Sequence, residues 1–183
     1  MGTFLIVILL AAIAYAVYIY NTLVQRKNLV QEGWSGIDVQ LKQRADLIPN
    51  LIESVKGYMS HERGVLEKIT ELRSQCLSAN DVKSREQSEN MLTGALRQLF
   101  ALAENYPDLK ASQNFLDLQA NLTKIEDQIQ LARRYYNGTV RDLNITIQSF
   151  PSNLIANAFK FTPAAFFEIT DVKDKEVPKV DFS

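Results

Sequence analysis

Residues 30–59 read VQEGWSGIDVQLKQRADLIPNLIESVKGYM. Val30, Trp34, Ile37, Leu41, Ile48, Ile52, Val55 and Met59 recur mostly at three- and four-residue intervals, with Lys42, Gln43, Asp46 and Glu53 between them. That spacing lays one apolar stripe along an amphipathic helix. Pro49 stands inside it. A proline in a straight helix removes one hydrogen bond and clashes with the carbonyl four residues back, at about 3 kcal/mol. Pro49 is therefore read as a helix kink that leaves the Ala45 carbonyl open to another donor.

Upstream of this stretch the character changes. FLIVILLAAIAYAVYIY, residues 4–20, carries no charge. Continued through Val24, a helix of this length spans roughly 30 Å, the thickness of a bilayer core. A cleaved signal peptide would have a basic leader and small residues at its cleavage site, whereas MGT has no side-chain charge and YIYNTLV is bulky. A buried core helix would carry some polar side chains. The segment is read as a transmembrane anchor, residues 1–24, with Tyr15, Tyr18 and Tyr20 near one interface. Arg26 and Lys27 follow it and no basic residue precedes it. The positive-inside rule then puts the body, residues 25–153, in the cytoplasm.

Downstream, the stripe resumes at Val65, Ile69, Leu72 and Cys76, so the first helix is expected to run to about Leu77. Asn80 is the expected cap of a second helix through Asn105, with Leu92, Leu96, Leu99 and Ala103 inward. NYPDLKAS breaks the pattern at Pro107. Asn114 and Asp117 resemble a cap for a third helix, striped by Leu118, Leu122, Ile125, Ile129, Ala132, Tyr136, Val140, Leu143 and Ile147. The stripe passes through Gly138 and ends at FPSN, residues 150–153. The aromatic extension and tail, 154–183, includes a short helix or extended piece in NLIANAFKF and strand-like PAAFFEITDV. The expected fold is all-α: a transmembrane helix continuing into long antiparallel helices, with a short extended C-terminal segment.

YNTLVQRKNLVQEGWSGIDVQLKQRADLIPNL, VKGYMSHE, YPDLKASQNFLDLQANLTKIEDQI and ARRYYNGTVRDLNITIQSFPSN occur in order between residues 20 and 153. Together they resemble the LemA family. The resemblance implies a bacterial inner-membrane or plasma-membrane protein with a helical soluble body. Family members are associated with magnetosome membrane remodelling and with membrane metallopeptidases. The resemblance implies no shared catalytic residue and no binding site to transfer.

The residues themselves supply no reaction. His61, the only histidine, stands in HERGV, where a zinc-protease helix needs a second histidine. It is read as solvated helix surface, and no metal ligand set is assigned. Cys76 is in phase with the apolar stripe and is read as a buried thiol rather than a nucleophile. The neighbouring carboxylates Glu126 and Asp127, and Asp171 and Asp174, are read as ordinary surface charge. No phosphate-binding glycine motif occurs, so no catalytic residue and no cofactor is expected. A net charge of −1 gives no field that would draw nucleic acid.

Seven residues are candidate subunit contacts: Trp34, Arg133, Arg134, Phe159, Phe161, Phe166 and Phe167. Trp34 stands roughly 15 Å beyond the hydrocarbon edge, and either core packing or a lateral contact accounts for it. Arg133 or Arg134 is expected to meet carboxylates such as Asp38 or Asp46, or a neighbouring subunit. The four phenylalanines need cover, since each buried ring is worth roughly 2–3 kcal/mol. Their own bundle, a second subunit and the membrane surface are the open choices. Two functions fit: a non-enzymatic scaffold that homo-oligomerises on the lipid bilayer, or an adaptor for another membrane protein such as a metallopeptidase or sensor.

Overall fold

A computed structural model describes residues 1–59 and 61–168. The chain forms six helices among these residues: α1 Gly2–Lys56, α2 Arg63–Ser78, α3 Val82–Ala103, α4 Pro107–Lys110, α5 Gln113–Gln148 and α6 Ser152–Ala158. No strand occurs among the described residues. By internal contacts the described residues divide into two compact units, Met1–Val39 with Ile129–Phe166, and Gln40–Gln128 with Phe167 and Glu168.

The first unit pairs α1 with α5 in antiparallel fashion and adds α6. Ile19 and Leu23 of α1 pack with Leu143 and Ile147 of α5 and Ala156 of α6. Closer to its N-terminus α1 makes no such core: Phe4 to Leu10 are all half exposed or more. Water is a poor solvent for that surface, and the helix is long and apolar enough to cross a membrane. After Pro151, α6 is held by Ser152, whose hydroxyl donates to the Thr146 and Ser149 carbonyls at 2.6 and 2.8 Å.

The second unit has the larger core. Ile48, Leu51 and Val55 of α1 meet Ile69, Leu72 and Cys76 of α2, Leu92, Leu96 and Leu99 of α3, and Leu118 and Leu122 of α5. Leu109 of the short α4 is fully buried, and Pro107 opens that helix where its missing N–H costs nothing. The stripes of α3 and α5 are thus buried largely as their spacing predicts.

Four boundaries differ from expectation. α1 stops at Lys56, and a turn through Met59 precedes α2. The stripe is interrupted there, because Glu62 and Arg63 occupy the positions three and four beyond Met59, and Gly57 loosens the backbone. α3 is capped by Asp81, not Asn80. The Asp81 carboxylate accepts the Lys83 and Ser84 N–H groups at 3.0 and 2.9 Å, and these bonds with the Ser84 hydroxyl lower its pKa. Asn114 lies inside α5 instead of capping it, while Asp117 accepts the Gln113 side-chain amide at 2.8 Å. Residues 161–168 are extended but pair with no strand, and the rest of the strand-like stretch and the tail lie outside the described residues. α5 runs through Gly138 without a break, as its stripe predicts.

Candidate functional site

The first unit contains a cleft of about 340 Å³ lined by Lys27, Val30, Gln31, Trp34, Tyr136, Leu143 and residues 160–164. Its geometry begins with Gly33. A Cβ there would stand 3.1 Å from the Tyr136 Cα, so the absent side chain lets the two backbones close up. Trp34 then lies against Tyr136, ring centroids 5.6 Å apart. The buried Tyr136 hydroxyl donates to the Ala165 carbonyl at 2.8 Å, and burial raises its pKa. Asn144 clamps Ala164 from both sides: its amide donates to the Ala164 carbonyl at 3.0 Å and its oxygen accepts the Ala164 N–H at 2.9 Å. These bonds fix the extended segment as one wall of the cleft.

The cleft is positively charged. Lys27 and Lys160 line it and no carboxylate does. Asp142 pairs with Arg26 at 3.3 Å and with Arg141 at 3.3 Å. Lys160 has a φ of 57°, the left-handed region that a non-glycine residue seldom adopts. Phe159 and Phe161, on either side of it, pack on Tyr20 with centroids 4.7 and 5.9 Å away.

The second unit contains a buried ionic cluster. Arg44 is 1% exposed and its guanidinium donates to both Glu89 and Glu126, and to the Thr93 hydroxyl at 2.7 Å. Burial opposes its charge, yet Glu126 and Glu89 outweigh that and raise its pKa. Arg85 approaches Glu89 at 3.9 Å and donates to the Cys76 carbonyl. The Cys76 thiol is buried, and burial followed by Glu89 pushes its pKa up to about 12. Such a thiol is no nucleophile near neutral pH. At the residue after Arg44 in α1, the Ala45 carbonyl accepts Arg73 Nε of α2 at 2.6 Å. A separate hollow of about 630 Å³ is lined by Ile52, Met59 and Leu66 together with Lys56, Arg63, Glu67 and Thr70.

The residues singled out in the sequence are dispersed. Trp34 is half buried on Tyr136. Phe161 is partly buried in the first unit, and Phe167 is buried in the second. Phe159 and Phe166 are exposed, at 61% and 42%. Arg133 donates to the Gln130 side chain at 3.0 Å, and Arg134 is exposed. His61 is exposed, but in the turn before α2 rather than on a helix. Among the described residues no three His, Cys, Asp or Glu side chains gather as a metal site would require.

Sequence reasoning missed Arg44, Glu89 and Glu126 as a group, and Gly33. Each stands in phase with the apolar stripe of its own helix: Arg44 between Leu41 and Ile48, Glu89 before Leu92, Glu126 between Leu122 and Ile129, Gly33 between Val30 and Ile37. A charge in a buried phase, with opposite charge in the buried phase of another helix, is the signal that would have found the cluster.

The chain is similar to Protein LemA of Metamycoplasma hominis, with 32% identity over 93% of this chain and 79% of that protein. It is also similar to the magnetosome protein MamQ 2 of Paramagnetospirillum magneticum, at 23% identity over 86% of this chain and 68% of the relative. MamQ 1 of the same organism matches to the same degree. The LemA family pattern covers residues 33–182, spanning the cleft-lining residues from Trp34 onward and the whole ionic cluster, and with these relatives it establishes that the chain belongs to the LemA family.

Proposed function

We propose that this protein is a non-enzymatic scaffold of the bacterial inner (plasma) membrane that homo-oligomerises through its helical body. The observation that carries the reading is a row of uncovered apolar side chains on α5. Leu131, Tyr135 and Ile145 are 53%, 49% and 55% exposed, opposite the buried row of Tyr136, Val140 and Leu143. Four- and three-residue steps lead from Leu131 to Tyr135, Gly138, Asp142 and Ile145, a coiled-coil spacing in which Gly138 has nothing within 4 Å of where its Cβ would be and Asp142 is the one charged position. Arg134 and Arg141 flank the row as polar rim. Anchored copies share one plane and one orientation, which raises their effective concentration and favours rotational assembly. Phe159 and Phe166 are further exposed rings suited to a neighbour. Kinship with magnetosome proteins fits a membrane-associated role.

Light scattering of full-length protein in mild detergent tests the reading. A particle of many chains is expected, and Leu131→Lys with Tyr135→Glu should reduce it to smaller species with unchanged helicity. A monomer across several detergents overturns it. The same seam would also hold one helix of a different membrane protein, the adaptor reading. Crosslinking from position 135 that recovers one foreign chain in equal ratio, and no self-adduct, favours that reading. The cytoplasmic placement of the body rests on Arg26 and Lys27, and protease protection in sealed vesicles of known sidedness checks it.

A further inference from the structure

We infer that the cleft between Lys27 and Lys160 binds the phosphate of an anionic phospholipid from the bilayer in which α1 is anchored. Three observations converge on it. Two ammonium groups line the cleft with no carboxylate beside them, and neither has an ion-pair partner among the described residues. Its remaining wall is mostly apolar and aromatic, with Trp34, Tyr136 and Phe161 beside the polar Gln31 and Thr162, and its volume of about 340 Å³ is that of a small-ligand site. Its height is fixed by the anchor. Phe159 and Phe161 bracket Lys160 and pack on Tyr20, inside the last turns of the apolar segment. Lys27 lies three residues beyond Val24, about 5 Å along the helix axis. The headgroup layer occupies roughly 5–7 Å on each side of the hydrocarbon. Both ammonium groups are therefore placed at the depth of lipid phosphate.

The backbone at Lys160 supports the assignment. Its φ of 57° is left-handed, and it is the only such non-glycine residue among those described. Asparagine or glycine would relieve the strain, so a lysine here is held against its own preference, as residues at ligand sites often are. Apolar side chains in and beside α6 are also uncovered: Leu154 within it is 59% exposed, and Phe150 and Phe159, which flank it, are 80% and 61% exposed. Ile155 and Ala156 of the same helix pack in the cluster that includes Ile19 and Leu23. An element tied to the end of the anchor with its aromatic and aliphatic side chains bare is suited to the same lipid interface.

The inference rests on the anchored-helix reading but not on self-association. The experiment uses full-length protein in nanodiscs of phosphatidylcholine mixed with phosphatidylglycerol, followed by mild release and native mass spectrometry of retained lipid. Incorporation into the disc reports the anchor, the mass of the protein particle reports assembly, and retained lipid reports the cleft. The wild type should retain phosphatidylglycerol in preference to phosphatidylcholine. Lys27→Gln combined with Lys160→Asn, the latter chosen because asparagine tolerates the left-handed backbone, should reduce that preference by about tenfold or more. Lys27→Arg with Lys160→Arg should preserve it. Trp34, the single tryptophan, supplies a second readout inside the cleft. Its emission should respond to added phosphatidylglycerol in phosphatidylcholine discs and not to inorganic phosphate or glycerol phosphate in the buffer. Equal retention of the two lipids, or a preference unchanged in the Gln/Asn variant, overturns the proposal. So does a Trp34 response to soluble phosphate as large as that to the lipid.

Discussion

Arg73 donates from Nε to the carbonyl of Ala45 at 2.6 Å, the carbonyl that loses its helical partner because residue 49 is proline. Ala45 is buried, so without Arg73 that oxygen would be dehydrated and unpaired. Replacing Arg73 with Gln should therefore cost about 1.5–3 kcal/mol, as expected for loss of a hydrogen bond from a charged donor. In a Pro49→Ala background the residue-49 N–H returns and the same replacement should cost less. Denaturant unfolding of the four proteins measures the coupling. Additive effects would show that the proline and the arginine are independent.

Arg44 predicts a larger loss. Its guanidinium joins Glu89 and Glu126, and Glu89 is itself buried. Arg44→Met removes the only full compensation for that carboxylate, and breaking a buried pair typically costs about 3–5 kcal/mol. Arg44→Met with Glu89→Leu and Glu126→Gln should recover most of the loss, because no charge remains stranded. Equilibrium unfolding at low and high salt checks both points. The wild-type contribution should change little with salt, since buried pairs are weakly screened.

The long helices were legible because burial follows a 3.6-residue period, and the stripes of α3 and α5 match the buried positions closely. Where the period lapsed the reading failed. A continuous helix from Met59 to Val65 would need apolar residues in the inward phase, whereas charged Glu62 and Arg63 stand there and the chain turns. Ile48 and Val55 of α1, and Met59 just beyond it, are buried as the stripe predicts, and only at the helical turn between Ile48 and Val55 does the core take Leu51 fully and Ile52 in part. The buried ionic cluster was not legible for a different reason. A charged residue is ordinarily exposed, and only the pairing of Arg44 with acids on two other helices overturns that expectation. The cleft depends on a tertiary clamp, Asn144 on Ala164, twenty residues apart in sequence, and no local pattern announces it.

Gly33 and Gly36 are three residues apart on α1 and should respond oppositely to substitution. A Cβ at Gly33 meets the Tyr136 backbone at 3.1 Å, while at Gly36 nothing lies within 4 Å. Gly36→Ala should raise stability by up to about 1 kcal/mol through helix propensity alone. Gly33→Leu should lower it by about 1–3 kcal/mol, since the helices must separate. That separation should also shift the emission of the adjacent Trp34. Thermal unfolding with tryptophan fluorescence reads both. If Gly33→Leu left stability and emission unchanged, close backbone approach would not be what fixes this crossing.

Cys76 supplies a prediction in pH. In the folded chain its thiol is held protonated up to about 12, against an ordinary value of 9.0, because burial and the Glu89 carboxylate disfavour the thiolate. The unfolded chain releases this proton first. Its contribution to stability is therefore complete below about pH 9 and is lost as pH rises from there towards 12. Lysines and tyrosines titrate in the same range, so the informative quantity is the difference from Cys76→Ala, whose stability should fall less steeply across that window. Alkylation gives an independent check near neutral pH. The buried thiol should react with iodoacetamide only as fast as the second unit opens, and denaturant should accelerate labelling to the rate of a free cysteine. Rapid labelling of the folded protein would mean that Cys76 is accessible and that the arrangement of Arg44, Arg85 and Glu89 around it is not the one that persists in solution.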